Sequence, residues 1–364
     1  MGIYGTFTRL VGLADPSFVN SPRLRHNEHE NVMSIVASHP WTGMERYRVR
    51  VEQYKSFRQD GYLIVKGLVL PQDVEELLEH TEQILSGEFP LPGHEPLPAG
   101  ASHKEIEKRL LRIHMMHRHL ELWERYLLYP RLLDVLEVLY GPDILAMQTM
   151  LFTKGPGANG QGWHQDTYYI PTFPDSLIGA WIAIDPADMD NGCLCVAKGS
   201  QHEPIYPPKS GYGFGDWGIS DITEVSNVGG HSNSDEDPLN TLKPIAERYE
   251  MVSCVVEPGD VVFFAGHVIH RSFQNRTTDR YRRSLVNHYC NARSFTSWDE
   301  GNHNHILARG NTHMPFAKPK FGTPCAAMDP KESLSDRGAS PTMMMAEEDG
   351  MMGAQEPGMG DHDH

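Results

Sequence analysis

The chain has 364 residues, of which 39% are hydrophobic and 22% are charged, so it is long enough to bury a sizeable core. Its formal net charge of -16 disfavours a nucleic-acid partner, because binding a phosphate backbone requires a basic surface. No apolar run approaches the ~20 residues of a membrane helix, and no signal-peptide pattern is present. The five cysteines include no CxxC pair, which favours reduced thiols. We therefore expect a cytoplasmic protein with no membrane partner.

The first part of the chain predicts helices. Residues 1–42 show no sustained periodicity and are interpreted as an N-terminal extension. Residues 51–69 predict a short helix followed by a strand. An amphipathic helix is predicted to begin at Pro71, because apolar residues recur at helical spacing after it. Residues 103–140 predict a second helical region that is interrupted at Pro130.

From residue 144 the pattern changes to short apolar or alternating runs separated by turn residues, which is typical of a β-sandwich or barrel. A segment rich in Gly, Ser, Asn and Asp, residues 204–244, is interpreted as an insert or lid. The acidic, Met-rich residues 321–364 are interpreted as a disordered tail. We therefore expect one domain, residues 43–320, that is mainly β with flanking helices. The predicted strands are 144–154, 163–170, 177–184, 193–197, 252–256, 261–265 and 283–289.

The run GWHQDTYY, residues 162–169, offers two candidate metal ligands. If it lies in a strand, the side chains of His164 and Asp166 project to the same face. A later predicted strand leads into His267 and His270, and either could supply a third ligand. Two histidines and one carboxylate form the facial triad of non-haem Fe(II) oxygenases, which leaves positions open for substrates. One ligand is needed from the later pair, so the other histidine would satisfy buried polar groups instead.

Nine short motifs follow one another between residues 54 and 292, and together they are far more specific than any one of them. In this order they resemble the phytanoyl-CoA dioxygenase family, a branch of the Fe(II)- and 2-oxoglutarate-dependent oxygenases. The motifs are MQTMLFTK (147–154), HQD (164–166), LIGAW (177–181), DNGCL (190–194), KGSQH (198–202), GDVVFF (259–264), IHRS (269–272), QN (274–275) and RRS (282–284).

The resemblance implies a double-stranded β-helix core, that is, a cupin-like jelly roll, with Fe(II) bound by His164, Asp166 and His270. It favours His270 over His267, because the family's distal ligand is followed by one residue and then by serine, as His270 is. His267 is kept as the fallback. In related halogenases a small residue replaces the carboxylate, so the presence of Asp166 favours hydroxylation.

The resemblance also implies 2-oxoglutarate as the cosubstrate. A guanidinium suits its distal carboxylate, because it can donate two parallel hydrogen bonds. Arg282 and Arg283 would alternate faces on a strand, so one of them can point into the barrel, and the family pattern favours Arg282. Four more positions match the family's cosubstrate site, and each of them could instead have only a structural role. These additional positions that match the family's cosubstrate site are Lys154, Trp181, Ser272 and Gln148.

We therefore expect a dioxygenase that uses dioxygen to hydroxylate an unactivated C–H bond of a small organic substrate, an acyl-CoA or another metabolite, with release of succinate and CO2. One alternative is a cupin-type metal dioxygenase that does not use 2-oxoglutarate and so needs no carboxylate clamp. Another is a non-catalytic metal-binding jelly-roll protein. The pattern specifies neither the substrate nor the oligomeric state.

Overall fold

Antiparallel β-structure makes up most of the ordered elements in the computed structural model, which describes residues 41, 43–91, 100–102, 110–206, 240, 242–296 and 305–312. The helices in these segments are α1 (Val51–Asp60), α2 (Pro71–Ser86), α3 (Glu121–Leu127), α4 (Pro130–Tyr140) and α5 (Lys243–Ala246). The strands are β1 (Tyr62–Val65), β2 (Arg112–His114), β3 (Ile144–Lys154), β4 (Gln161–His164), β5 (Ile178–Ala183), β6 (Leu194–Lys198), β7 (Glu250–Cys254), β8 (Val261–Ala265), β9 (His270–Ser272), β10 (Arg282–Asn291) and β11 (Ile306–Arg309).

The strands form two sheets. The large sheet has seven strands in the order β1-β8-β5-β10-β3-β11, with β2 also paired to β3, and the small sheet has the order β4-β9-β6-β7. Every pair is antiparallel. Apolar side chains from both sheets meet between them, among them Trp181 and Phe264 of the large sheet and Val196 of the small one. This is the jelly-roll core that the resemblance implies.

Helices α3 and α4 lie next to β3, on the side of the large sheet that faces away from the small sheet. The side chains of Asn287 and Tyr289 hydrogen-bond backbone carbonyls of α3, those of Tyr126 and Leu127. Side chains alternate along a strand, so the intervening His288 projects from β10 toward the small sheet. The outer helices thereby fix which face of β10 lines the interior.

Several predicted elements are confirmed. Strands β3 and β8 have the predicted bounds, and α1 ends at Gly61, whose φ of 78° is left-handed. Helix α2 begins at Pro71 and buries its apolar face. Helix α4 begins at Pro130, where a break was expected.

Two predictions are wrong. The strand expected over residues 163–170 ends at His164, and Asp166–Tyr168 forms one turn of 3-10 helix. The helical region expected over residues 103–140 contains the strand β2, which adds to the edge of β3 before α3 begins. In the second place tertiary pairing overrides the local pattern.

Some predictions fall outside the described residues. These are the N-terminal extension apart from Trp41, residues 207–239 of the proposed lid, and the proposed tail, so the domain boundaries stay predictions. In the segments that the structure does describe, no helix has the length and apolar character needed to cross a membrane.

Candidate metal centre

Three candidate ligands converge where β4 and β9 pair. His164 is the last residue of β4, His270 is the first residue of β9, and the two are cross-strand partners in the antiparallel register. Asp166 follows at the start of the 3-10 turn. The carboxylate therefore reaches the histidines because the chain turns after β4, and the alternation along a longer strand that was expected does not occur.

The distances between the three side chains are short. Oδ1 of Asp166 lies 3.5 Å from Nε2 of His164 and 3.7 Å from Nε2 of His270. The two imidazole rings have centroids 4.1 Å apart. One ligand atom from each residue fits within 4.8 Å, and no other such group occurs in the described segments. His267, the fallback ligand, lies outside this group: its Nδ1 donates to the carbonyl of Glu203 at 2.9 Å.

Backbone carbonyls orient both imidazoles. Nδ1 of His164 donates to the carbonyl of Gly162 at 2.8 Å, and Nδ1 of His270 donates to that of Val268 at 2.9 Å. A neutral imidazole that donates through Nδ1 presents a lone pair at Nε2, which is the arrangement found in metal-ligating histidines. Burial and the neighbouring His164 lower the pKa of His270 to about 4, so the ring is neutral at physiological pH.

The carboxylate is ionised. Burial alone would raise the pKa of Asp166, but the surrounding imidazoles, among them His288 with its hydrogen bond to Oδ2, bring it well below its usual value. A carboxylate and two imidazoles together match the donor set that non-haem Fe(II) prefers. The residues present therefore fit a ferrous ion.

His288 on β10 is a member of the site that the sequence analysis does not single out. Its Nε2 lies 2.9 Å from Oδ2 of Asp166, and its ring is buried. The signal that could have found it is its even spacing from Arg282, which puts both on one face of the same strand. That spacing alone does not separate a functional histidine from a packed one.

A small cavity of about 40 Å³ adjoins the three ligands. Besides these ligands and His288, it is lined by Gln161, Ser272, Arg282 and the apolar or aromatic side chains of Met150, Phe152, Trp181, Leu194, Phe264 and Val286.

Arg282 brings a buried positive charge into this cavity. Its guanidinium donates to the carbonyl of Gly192 at 3.1 Å and to Oγ of Ser284 at 2.7 Å, and its Cζ lies 5.4 Å from the ring centroid of Trp181. No carboxylate in the described segments forms an ion pair with it. Burial lowers the pKa of Arg282 to about 10, so the charge is retained at neutral pH.

Arg283 projects away from the cavity, as alternation requires. Its guanidinium forms a two-pronged ion pair with Asp185, with N–O distances of 2.7 and 2.8 Å, and a further one with Glu82. The two adjacent arginines are thus distinguished by their direct partners: Arg283 forms ion pairs with carboxylates, and Arg282 forms none in the described residues.

The other candidate cosubstrate residues divide into two pairs. Ser272 and Trp181 line the cavity. Lys154 and Gln148 are buried beside it: Nζ of Lys154 donates to Oγ of Ser272 at 3.0 Å, and Nε2 of Gln148 lies 3.0 Å from Nδ1 of His114. Lys154 therefore contacts a lining residue, whereas Gln148 contacts the edge strand β2.

Comparisons with known proteins show which family this chain resembles. The family model described as "Phytanoyl-CoA dioxygenase (PhyH)" matches residues 57–284. The peroxisomal phytanoyl-CoA dioxygenase of Rattus norvegicus is 31% identical over 250 residues, which cover 66% of this chain and 68% of the rat protein. The corresponding Homo sapiens protein is 28% identical over 251 residues, which cover 66% and 68%.

Among solved structures, the non-heme alpha-ketoglutarate-dependent carbocyclase SnoK from nogalamycin biosynthesis superposes with a TM-score of 0.51. The match covers 68% of this chain and 86% of SnoK at 19% sequence identity, so it supports the fold. All three iron-ligand candidates and the segment up to Ser284 lie within the range that the family model matches.

Proposed function

This chain belongs to the phytanoyl-CoA dioxygenase family, and on that premise we propose that it is an Fe(II)- and 2-oxoglutarate-dependent dioxygenase that hydroxylates an unactivated C–H bond of a small organic substrate. The observation that carries the proposal is that one cavity holds a metal-ligand triad and a buried guanidinium that forms no direct ion pair with a carboxylate among the described residues. A metal that binds a keto diacid, and an arginine that binds its far carboxylate, is what this reaction requires.

Each group of side chains has a role in the proposal. His164, Asp166 and His270 would hold Fe(II) and leave coordination positions for the cosubstrate. The buried guanidinium of Arg282 binds the distal carboxylate of 2-oxoglutarate, and Ser272 and Lys154 add hydrogen-bond donors and positive charge on the same side. When bound, iron and 2-oxoglutarate supply the oxidising chemistry, with succinate and CO2 as coproducts.

Aromatic side chains support these roles by limiting access of water. The rings of Trp181 and Phe264 line the cavity, and the ring of Phe264 lies with its centroid 4.6 Å from that of His270. Excluding water strengthens the attraction between Arg282 and a carboxylate, because the effective dielectric constant inside the cavity is lower. Positioning and a dry cavity are the protein's share of the chemistry.

Two other readings fit the fold less well. A cupin-type dioxygenase without 2-oxoglutarate has no use for a buried guanidinium that lacks an acidic partner. A protein that only binds a metal has no use for it either. A buried charge that is not paired costs stability, so a compensating anionic ligand is the simplest reason for its presence.

The test measures the visible metal-to-ligand charge-transfer band that Fe(II) and 2-oxoglutarate produce together under anaerobic conditions. The unaltered protein should show it, and Asp166→Ala should weaken it, because a ligand is lost. His267→Asn is the matched control: that histidine lies near the triad in sequence but contacts Glu203 and Asp175, so the band should persist. If Asp166→Ala retains the full band, the assignment of the triad is wrong.

For the substrate we propose an acyl-CoA thioester as the first class to test, since the rat relative is a phytanoyl-CoA dioxygenase by name. Succinate formation in the presence of dioxygen should rise on addition of the true substrate. An acyl-CoA series should be compared with free carboxylic acids and amino acids. Stimulation by the acids alone would exclude the thioester. The cytoplasmic location stays a prediction that cell fractionation would test, and the rat protein is peroxisomal by name.

A further inference from the structure

His288 connects the large sheet to the candidate metal centre. It lies on β10, whereas His164 and His270 lie on strands of the small sheet. The imidazole spans the interior to Asp166, with Nε2 at 2.9 Å from Oδ2. His288 is buried and Asp166 is largely buried, so this hydrogen bond is stronger than one at the surface.

The two oxygens of Asp166 have different partners. Oδ1 is the one near both ligand histidines, at 3.5 Å from Nε2 of His164 and 3.7 Å from Nε2 of His270. Oδ2 accepts the hydrogen bond from His288. A carboxylate oxygen is an acceptor, so Nε2 of His288 is the donor in this bond. One oxygen thus faces the metal position, and the other is engaged.

In the described part of the chain, the hydrogen bond to Asp166 is the only one that the His288 ring makes. Its Nδ1 is buried and has no hydrogen-bond partner there. The flanking Asn287 and Tyr289 bond α3 on the opposite face, which directs His288 inward without fixing its ring. The hydrogen bond to Asp166 is therefore the interaction that sets the ring, and it does so at the cost of an unsatisfied nitrogen.

We propose that His288 is a positioning residue that holds Oδ2 of Asp166, so that Asp166 binds the metal through Oδ1 alone. This inference rests on the function proposed above. A carboxylate can bind a metal through one or both oxygens. Binding through both would take a coordination position that the keto acid or dioxygen needs. By occupying Oδ2, His288 keeps the aspartate to one position and leaves three open.

The size of the effect follows from the general behaviour of groups that hydrogen-bond metal ligands. Removing such a partner costs about 10- to 100-fold in metal affinity. We expect His288→Leu, which matches the imidazole in bulk but cannot donate, to weaken metal binding by about that factor. His288→Gln should restore part of it, because its side-chain amide can donate to Oδ2.

The test uses Co(II) as an air-stable probe of the full chain, with affinity from calorimetry and coordination number from the visible d–d spectrum. His288→Asn is polar but too short to reach Oδ2, so it should behave like His288→Leu. The control is His117→Asn, which replaces another buried histidine of the same domain, one whose Nδ1 bonds Oγ1 of Thr149 away from the triad. It should keep the affinity and spectrum of the unaltered protein.

The expected order of Co(II) affinity is unaltered protein and His117→Asn, then His288→Gln, then His288→Leu and His288→Asn. A changed d–d spectrum in the last two variants would report an altered coordination number, which a loss of folding stability alone does not produce. If His288→Leu does not fold, the comparison of the Gln and Asn variants carries the same test. Equal affinity and spectra across the His288 variants would overturn the inference. An unaltered protein that binds no Co(II) would refute the metal centre itself.

Discussion

Arg282→Met gives two opposite effects that together test the cosubstrate clamp. In the absence of ligand, burial lowers the pKa of Arg282 from 12.5 to about 10. At about 1.4 kcal/mol per tenfold change in proton affinity, holding this charge inside the fold costs about 3 kcal/mol. Methionine removes that cost and fills much of the same space, but it loses the hydrogen bonds to Gly192 and Ser284. The ligand-free variant should therefore be as stable as the unaltered protein, or more stable.

In the presence of ligand the order should reverse. A charge-assisted pair with a carboxylate contributes about 1.5–3 kcal/mol, so its loss should weaken 2-oxoglutarate binding about 10- to 100-fold. With 2-oxoglutarate at 100 times its Kd, the unaltered protein gains about 2.7 kcal/mol, and a variant 100-fold weaker gains about 0.4 kcal/mol. These gains correspond to rises in Tm of about 5–10 °C and about 1 °C.

The assay is thermal unfolding with Mn(II) in place of iron, with and without 2-oxoglutarate, so that no turnover occurs. Arg280→Met is the matched control, because Arg280 pairs with Asp188 at the surface and leaves the cavity unchanged. It should keep the full ligand-induced rise in Tm. An Arg282→Met variant that loses several kcal/mol without ligand, yet still gains the full rise with it, would refute the role given to this guanidinium.

Three further perturbations test the packing around the site. Gly179→Ala places a Cβ 2.5 Å from Cζ of Phe264, whose ring packs on His270. It should cost about 1–3 kcal/mol of stability and weaken Co(II) binding in the calorimetric titration used for the His288 variants. Gly192→Ala should lower Tm more than Gly157→Ala. Both glycines have positive φ, but of the two only Gly192 would place its new Cβ against a backbone oxygen, at 2.6 Å. Equal losses of Tm would show that this contact has no effect on stability. Chelation of the metal from the loaded protein should lower Tm by mass action, and an unchanged Tm would indicate that no metal is bound by the folded state.

Local patterns were sufficient for much of the fold. The alternating and apolar run of β3 and the short run of β8 are read directly from composition and turn residues, and Pro71 and Pro130 mark helix starts by their fixed φ. Strand β2 is different: its sequence suits a helix, and it becomes a strand because the edge of β3 offers a partner. Such pairing joins residues far apart in the chain and leaves no local periodicity.

The candidate site divides in the same way. His164, Asp166 and His270 are brought together as expected, although the reason differs, because Asp166 arrives through a 3-10 turn. Alternation along the strand shows only that the side chains of Arg282 and Arg283 project to opposite faces. It cannot decide which of them enters the cavity. That choice depends on Asp185, whose position beside β10 no local pattern reveals. His288 has the same difficulty, since its partner lies 122 residues away.

Strand β10 carries both the guanidinium and the imidazole on which the proposals depend, six residues apart, or about 20 Å along the backbone. The irregularity in its pairing with β3 falls between His288 and Tyr289, just beyond that interval. From Arg282 to His288 the pairing of the strand is therefore regular, and the spacing between these two side chains is fixed. Inserting a single residue within this interval would turn one of the two groups outward, whereas an insertion after His288 would leave both in place. An insertion that keeps both side chains on one face must therefore lie outside the interval from Arg282 to His288.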